Sequence, residues 1–255
     1  MPSTRFDLTG RIALITGSSR GIGYAIAEAL AEGGATIVLN ARNKEELEAA
    51  RERLAATGAS AHAVPFNVAH REEIEPAIAA IERDIGPIAI LVNNAGIQRR
   101  VPMLDCDPTT WREVMSINLD AVFFMGQAVG RRMVARERGK IINICSMGSE
   151  LARPTITPYN TSKAAVKMLT QSMCAEWAKH NVQSNGIGPG YFKTELNKAL
   201  HTDPTFDAWI KQRTPAGRWG EIEELKGAAI FLASDASNFV NGQVLYVDGG
   251  LLSAI

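Results

Sequence analysis

Short apolar runs alternate with longer amphipathic segments along most of the chain. The apolar runs lack polar alternation, which is typical of strands that are buried on both faces of a sheet. They predict seven strands: Ile12–Ile15, Thr36–Leu39, His62–Phe66, Ile88–Val92, Ile141–Cys145, Val182–Ile187 and Val244–Val247. The segments between them have the apolar spacing of helices. They predict six helices: Ile22–Glu32, Lys44–Ala56, Arg71–Ile85, Thr109–Arg138, Pro158–His180 and Ile222–Ser234.

The repeated order of strand and helix predicts an α/β fold. We expect a Rossmann-type, doubly wound parallel sheet with about seven strands and with helices on both faces. No linker rich in Gly, Ser or Pro divides the sequence, so residues 1–255 are interpreted as a single domain.

One stretch, between Gly190 and Gly220, breaks the alternation because it contains helix-like pieces but no strand. The two pieces are Lys193–Leu200 and Phe206–Arg213. An insertion of this length beside an α/β sheet is often a lid over the substrate. We therefore predict that residues 191–220 form a substrate lid. A surface excursion without a functional role is the alternative.

The composition excludes several classes of protein. The 255 residues include 27 Lys and Arg against 27 Asp and Glu, so the formal net charge is zero. A protein that binds nucleic acid or an anionic membrane needs a positive excess or patch, and we expect neither partner here. With 46% apolar residues, the chain does not have the composition of a disordered protein. No apolar run approaches the ~18 residues of a membrane span, so we expect a cytoplasmic protein.

The three cysteines are too few and too scattered to form a disulfide framework. None belongs to a CxxC pair or lies near a histidine at the spacing of metal ligands, so no metal site is predicted. We expect small, buried or half-buried thiols of a reducing compartment at Cys106, Cys145 and Cys174.

A glycine-rich turn follows the first predicted strand and leads directly into a helix. It reads Thr16-Gly17-Ser18-Ser19-Arg20-Gly21-Ile22-Gly23. Glycines allow a tight turn and let the backbone approach a pyrophosphate closely. The N–H groups and the positive dipole at the start of the helix would then bind the phosphates. The turn therefore predicts a dinucleotide cofactor.

The end of the second predicted strand indicates which dinucleotide is preferred. An acid there would bind the 2′-hydroxyl of the adenosine ribose, as in NAD enzymes. The sequence is Leu39-Asn40-Ala41-Arg42-Asn43 and contains no acid. The guanidinium of Arg42, with that of Arg20, is suited to a 2′-phosphate. We therefore predict NADP(H) in preference to NAD(H). Alternatively, Arg42 only begins the next helix in solvent.

Four polar residues have the types and the order of a catalytic site. Tyr159 and Lys163 are four residues apart, so on a helix they share a face. Ser146 follows the fifth predicted strand, and Asn118 lies in the long helical segment before it. With the glycine-rich turn and Asn93-Asn94-Ala95-Gly96, this order resembles the short-chain dehydrogenase/reductase family. The resemblance covers essentially the whole chain, through Val247-Asp248-Gly249-Gly250.

The resemblance implies hydride transfer between a nicotinamide and a carbonyl carbon, with Tyr159 as the general acid and base. Lys163 is expected to lower the pKa of the Tyr159 phenol and to bind the nicotinamide ribose. Ser146 would polarise the carbonyl oxygen, and Asn118 would hold a water that relays protons to Lys163.

The resemblance also implies a set of cofactor-binding residues and an assembly. The family typically forms tetramers through two long helices, here Thr109–Arg138 and Pro158–His180, so a homotetramer is expected. Asn67 stands where the family usually has an Asp near the adenine, and an Asn can make a similar contact. The implied cofactor-binding residues are Gly17, Ser19, Arg20, Gly21, Ile22, Gly23, Arg42, Asn67, Val68, Asn94, Ala95, Gly96, Tyr159, Lys163, Pro189, Gly190 and Thr194.

Several strings around the site resemble those of family members that act on sugar acids, and this resemblance implies a small anionic polyol or keto acid as substrate. Such a ligand needs a cation and polar partners, and the charged and polar side chains near the catalytic residues are of that kind. We expect one of three arginines to pair with its carboxylate and Glu150 to bind its hydroxyls. The predicted substrate-binding residues are Arg99, Arg100, Ser146, Glu150, Arg153, Tyr159 and Tyr191.

Three alternatives stay open at this point. The chain could reduce another sugar, polyol or acyl ketone with the same catalytic residues. The basic run Arg131–Arg138 could dock an acidic carrier protein, although a solvated helix end explains it better. A non-catalytic NADP(H) sensor is a third alternative, but a sensor would need none of the four catalytic residues.

Overall fold

The computed structural model describes residues 4–194 and 197–254. Within those residues there are seven strands: β1 (Ile12–Thr16), β2 (Thr36–Asn40), β3 (Ala61–Ala63), β4 (Ile88–Asn93), β5 (Gly139–Ile144), β6 (Val182–Pro189) and β7 (Val244–Val247). They form one parallel sheet with the order β3-β2-β1-β4-β5-β6-β7. The predicted doubly wound α/β fold is therefore confirmed.

Helices connect the strands and cover both faces of the sheet. They are α1 (Gly21–Glu32), α2 (Lys44–Ala55), α3 (Arg71–Asp84), α4 (Pro108–Met115), α5 (Ala121–Ala135), α6 (Thr157–Trp177), α7 (Lys198–His201), α8 (Pro204–Arg213) and α9 (Lys226–Ala233). In the described part of the chain, no helix is long and apolar enough to cross a membrane.

Two apolar cores lie on opposite faces of the sheet because successive strand side chains point to opposite sides. Ala13 and Ile15 of β1 pack in the core formed with α1, α2 and α9. Leu14, between them, packs in the core formed with α3, α5 and α6. Burial on both faces is the reason that the strand sequences show continuous apolar runs.

The structure divides one long predicted helix into two. The segment Thr109–Arg138 forms α4 and α5, which are joined by a π-helical turn at Ser116–Asp120. Turns of this kind inside helices are frequently found at functional sites. The side chain of Asn118, in this turn, bonds to a neighbouring loop, and this contact is not visible in a pattern of apolar spacing.

Other predicted bounds differ by smaller amounts. The third strand was predicted at His62–Phe66 but is Ala61–Ala63, because Pro65 cannot donate to a sheet ladder. The last predicted helix, Ile222–Ser234, begins with a 3₁₀ turn before α9. Of the predicted piece Lys193–Leu200, α7 overlaps the end, and Glu195 and Leu196 lie outside the described residues.

The carboxyl ends of β1, β4, β5 and β6 meet at one edge of the sheet, which we call the carboxyl edge. Ligands of open α/β sheets bind outside this edge. The glycine-rich turn, the segment after β4, Ser146 after β5 and the 191–220 insertion after β6 all begin there. The topology therefore brings most of the predicted site residues to one cleft.

Candidate active site at the carboxyl edge

The glycine-rich turn is packed directly against the segment that follows β4. Gly17 has φ +63°, and a Cβ on it would lie 2.8 Å from the Cα of Ala95. A Cβ on Gly23 would lie 2.4 Å from the side-chain nitrogen of Asn94. That nitrogen donates hydrogen bonds to the carbonyls of Thr16 and Gly17, both at 2.9 Å. The glycines are therefore needed for close approach as well as for the turn.

Two residues that the sequence analysis did not single out hold this turn in place. The hydroxyl of Thr16 accepts hydrogen bonds from the backbone N–H groups of Asn94 and Ala95, at 3.0 and 3.1 Å. The buried hydroxyl of Ser18 donates to Ile15 and accepts from the N–H of Asn40. Polar side chains at and just after the end of an apolar strand were the available signal.

The surface beyond β2 is basic and open. Arg42 is exposed and makes no hydrogen bond or ion pair with the residues that the structure describes. The Arg20 side chain is 77% exposed, with Glu46 3.9 Å away. Arg53, which the sequence analysis missed, donates to the carbonyl of Ser19 at 3.2 Å. Two accessible guanidinium groups beside the turn fit a phosphate on an adenosine ribose.

The predicted adenine contacts lie after β3. The side chain of Asn67 accepts a hydrogen bond from the N–H of Ala69 at 3.1 Å, and its own N–H donates to Glu73 at 2.8 Å. Val68 is buried in the core below. These contacts give the loop a defined shape and leave Asn67 half-buried at the carboxyl edge.

Asn118 is fully buried, and its side chain connects the segment after β4 with helix α6. Its side-chain oxygen accepts from the N–H of Ile97 at 2.8 Å, and its nitrogen donates to the carbonyl of Ile97 at 2.9 Å. The same nitrogen donates to the hydroxyl of Ser162 at 3.1 Å. Ser162, which the sequence analysis did not predict, donates in turn to the carbonyl of Tyr159 at 2.7 Å.

Ser146 and Tyr159 are neighbours in the cleft. The hydroxyl of Ser146 is close enough to affect the pKa of the Tyr159 phenol, and it accepts from the N–H of Gly148 at 3.0 Å. Burial raises the pKa of the Tyr159 phenol, and Ser146 opposes this effect only in part. Two neighbouring hydroxyls have the chemistry to donate hydrogen bonds to one acceptor, such as a carbonyl oxygen.

Lys163 lies deep in the same cleft. Its ammonium donates to the carbonyl of Ile144 at 2.6 Å and lies 5.8 Å from the centre of the Tyr159 ring. Burial lowers the pKa of Lys163 to about 8. Burial has the largest effect on the pKa of both groups, so the expectation that the Lys163 ammonium lowers the pKa of Tyr159 stays a prediction.

Gly96 lies beside the catalytic residues, since a Cβ on it would be 3.4 Å from the Asn118 oxygen and 3.8 Å from the Lys163 nitrogen. Pro189 ends β6, and the N–H of Gly190 donates to the carbonyl of Val247 at 2.9 Å. Thr194 is half-buried, and its hydroxyl accepts from the N–H of Asn197 at 3.2 Å.

The three predicted arginines differ in what they contact. Arg99 makes a bidentate ion pair with Glu113, at 2.6 and 2.9 Å. Arg100 and Arg153 lie close enough to repel each other, and burial together with the charge of Arg153 lowers the pKa of Arg100. In the described part of the chain, neither of the two forms an ion pair. Arg100 and Arg153 can therefore accept an anionic ligand, whereas Arg99 is already paired with the carboxylate of Glu113.

Arg153 also connects the catalytic loop with the insertion. It donates to the hydroxyl of Tyr191 at 3.4 Å, and its guanidinium lies 4.3 Å from the centre of the Phe206 ring. Tyr191 makes edge-to-face contacts with Phe206, Trp209 and Trp219. This aromatic cluster was not predicted, because its members are spread over a segment without regular apolar spacing.

Glu150 is held by two neighbours. Its carboxylate pairs with Lys167 and accepts from the hydroxyl of Tyr246 at 2.5 Å. These hydrogen bonds lower the pKa of Glu150. They tie the loop after Ser146 to α6 and β7, so binding of substrate hydroxyls by Glu150 stays a prediction and would compete with these contacts.

Two of the four arginines in the basic run Arg131–Arg138 are closely paired with acids. Arg132 pairs with Glu75 at 2.6 Å, and Arg136 pairs with Glu82 at 2.8 Å. Both acids belong to α3, so these pairs join two neighbouring helices. The contacts favour the interpretation of the run as part of a solvated helix end over a docking surface for an acidic carrier.

Comparisons with known proteins agree with this geometry. The family model described as enoyl-(acyl carrier protein) reductase matches residues 17–252. The 5-keto-D-gluconate 5-reductase of Escherichia coli strain K12 is 56% identical over 250 residues, 98% of each chain. The gluconate 5-dehydrogenase of Gluconobacter oxydans strain 621H is 54% identical over 246 residues, 96% of each chain.

A solved structure is equally similar. It is the gluconate 5-dehydrogenase of Burkholderia cenocepacia J2315 in complex with NADP and tartrate. It has a TM-score of 0.96 and 57% sequence identity, and the match covers 98% of each chain.

Proposed function

The chain belongs to the short-chain dehydrogenase/reductase family, and from that premise we propose that it interconverts D-gluconate and 5-keto-D-gluconate. A hydride passes between NADP(H) and carbon 5, with Tyr159 as the general acid and base. The observation that carries the proposal is the convergence of Ser146, Tyr159 and Lys163 beside two arginines that lack an acidic partner among the described residues. The high sequence identity to a 5-keto-D-gluconate 5-reductase and to a gluconate 5-dehydrogenase supports the proposal.

The chain's residues would share the work as follows. In ketone reduction, Ser146 and Tyr159 donate hydrogen bonds to the carbonyl oxygen and draw electron density from carbon 5. NADPH, when bound, supplies the hydride. Tyr159 then gives its proton to the developing alkoxide, and its raised pKa keeps that proton available at neutral pH. In the oxidation of gluconate the phenolate form of Tyr159 accepts the proton of the C5 hydroxyl, while the hydride passes to NADP.

Lys163 and Asn118 support Tyr159. Lys163 would bind the nicotinamide ribose and, as an ammonium ion, favour the phenolate while the proton is transferred. Asn118 holds the backbone around Ile97 and, through Ser162, the helix turn that carries Tyr159. A water held by Asn118 would complete a proton path from Lys163 to solvent.

The substrate carboxylate would lie between Arg100 and Arg153. A carboxylate there relieves the repulsion between the two guanidinium groups and gains charge-assisted hydrogen bonds. Arg99 is the least suitable of the three, since it would have to leave Glu113. Through Arg153 the same carboxylate would contact the aromatic cluster, so residues 191–220 would act as a lid on the single catalytic domain.

NADP(H) is the proposed cofactor. The glycine-rich turn and the N-terminus of α1 would hold the pyrophosphate. Arg42, which is exposed and has no partner in the described residues, would bind the 2′-phosphate, with Arg20 nearby. The NADP complexes of similar proteins support this assignment.

The proposed assembly is a cytoplasmic homotetramer. Phe123 on α5 and Met168 on α6 are exposed, with 43% and 61% of their surface accessible. Both lie on the two helical segments through which the family typically associates. Sedimentation should give about four times the 27.5 kDa chain mass, and a mass near 27.5 kDa would contradict the assembly.

The test of the reaction is the initial rate with 5-keto-D-gluconate, measured with NADPH and with NADH in parallel. We expect fast turnover with NADPH and a much higher KM with NADH. Fast turnover with NADH alone would keep the substrate and contradict the role of Arg42. An acyl ketone such as acetoacetyl-CoA is the comparison substrate. A higher kcat/KM for the acyl ketone, or NADPH binding without any turnover, would contradict the proposal.

A further inference from the structure

A second polar cavity lies at the opposite end of the sheet from the catalytic cleft. It has a volume of about 300 Å³ and is formed where β4, β5 and β6 begin. β5 runs from this cavity to the catalytic residues, with Lys140 near its beginning and Ile144, the partner of Lys163, at its end. The cavity is therefore separate from the site described above. Its polar lining includes Arg11, Arg138, Lys140, Gln183, Asp235 and Asn238.

The charges around this cavity do not balance. Three cations and one acid line it among the described residues, so the local charge is 3 − 1 = +2. Asp235 is already paired with Arg11 at 2.7 Å, and Arg138 lies 3.9 Å from its other oxygen. Lys140 has no acidic partner among the residues that the structure describes.

Lys140 is the least usual member of the set, because it is only 5% exposed. Its ammonium donates to the hydroxyl of Ser237 at 3.2 Å and to the side-chain oxygen of Asn238 at 2.9 Å. An ammonium has three N–H donors, so one has no acceptor among these contacts. Lysines are almost never this buried unless they are paired, since an isolated buried charge is strongly disfavoured. In agreement, burial lowers the pKa of Lys140 to about 8.

We propose that this cavity binds a phosphate group, free or carried by a small sugar. A dianion would balance the excess charge of the lining and accept the remaining N–H of Lys140. Arg138, whose side chain is 66% exposed and only distantly paired, can turn toward the same anion. The amides of Gln183 and Asn238 offer further donors beside the phosphate, and they suit the hydroxyls of a sugar.

The experiment is calorimetric titration of the enzyme saturated with NADP, which keeps the basic surface around Arg42 occupied. Inorganic phosphate and glucose 6-phosphate are the two probes. Arg100 and Arg153 in the catalytic cleft can also accept an anion, so binding at this cavity is identified by variants of its own lining. Arg138→Gln and Lys140→Met should each weaken binding by about 10- to 100-fold, as the loss of a charge-assisted hydrogen bond implies. Arg83→Gln is the matched control, because Arg83 is 70% exposed and pairs with Asp84 outside the cavity.

The outcomes separate the possibilities. Tighter binding of glucose 6-phosphate than of phosphate would indicate that the sugar fills the rest of the cavity, and equal affinities would indicate free phosphate. Either result, with both variants weakened, supports the site. Absence of binding by both probes would overturn it, as would binding that neither variant changes. Arg138→Gln alters an exposed side chain, so it decides the matter even if Lys140→Met does not fold.

Discussion

The catalytic residues and the two neighbouring arginines Arg100 and Arg153 occupy one cleft, but the contacts that hold them in place differ. Asn118 is fully buried and Lys163 is 5% exposed, and they make hydrogen bonds to the backbone of Ile97 and Ile144, respectively. Arg100 is exposed, and Arg153 rests on aromatic rings of the insertion. The first group is fixed before any ligand arrives, whereas the second carries charge that is not yet neutralised.

This difference separates chemistry from selection. Proton transfer needs donors that are already oriented, and the sheet and α6 supply that orientation through Ile144, Ile97 and Ser162. Selection of an anionic substrate needs an interaction that only the right ligand completes, and two like charges side by side provide it. Substitutions in the two groups should therefore change different kinetic constants.

The largest effect is expected for Tyr159→Phe. Removal of the phenol hydroxyl eliminates the proton donor, so kcat should fall by about 10²- to 10⁴-fold, the usual contribution of general acid–base catalysis. The affinity for NADPH, measured by fluorescence titration, should stay nearly unchanged, because the ring remains in place. Tyr24→Phe on α1 is the control and should retain activity. A near-normal kcat in the Tyr159→Phe enzyme would contradict the role of Tyr159 as the proton donor.

Much of the first group could be predicted from the sequence, for a physical reason. A Tyr and a Lys four residues apart must share a helix face, and a Ser directly after a buried strand must lie at the carboxyl edge. These are local geometric consequences of secondary structure. Burial of Lys163 and its bond to Ile144 are not local, so the direction of its pKa shift and that of Tyr159 could not be predicted in the same way.

Much less of the second group could be predicted. The sequence places Arg99, Arg100 and Arg153 near the cleft. Only the tertiary structure shows that Arg99 forms an ion pair with Glu113. The same holds for Glu150, whose partner Tyr246 is 96 residues away. The partners of these charged side chains are brought close only by the tertiary fold, whereas strands and helices follow the local pattern of apolar and polar residues.

The next largest effect tests the arginines directly. Arg100→Gln and Arg153→Gln should each raise the KM for 5-keto-D-gluconate by about 10- to 100-fold with little change in kcat, because the carboxylate contact is made equally in the ground and transition states. Arg99→Gln is the matched control, since its guanidinium is paired with Glu113, and it should change KM by less than about threefold. A raised KM in the Arg99 variant alone would reverse the assignment.

The smallest effect concerns pH and sharpens the role of Lys163. Its pKa is lowered to about 8 by burial, so the ammonium loses its proton as pH rises through that value. In the free enzyme, kcat/KM for ketone reduction should then fall above about pH 8, while Tyr159, whose pKa is raised, still holds its proton. A guanidinium stays charged throughout this range. In Lys163→Arg the fall should therefore move to higher pH, even if the overall rate is lower. A profile that does not move in this variant would show that another group controls it, and Lys163 would then act only by holding its neighbours in position.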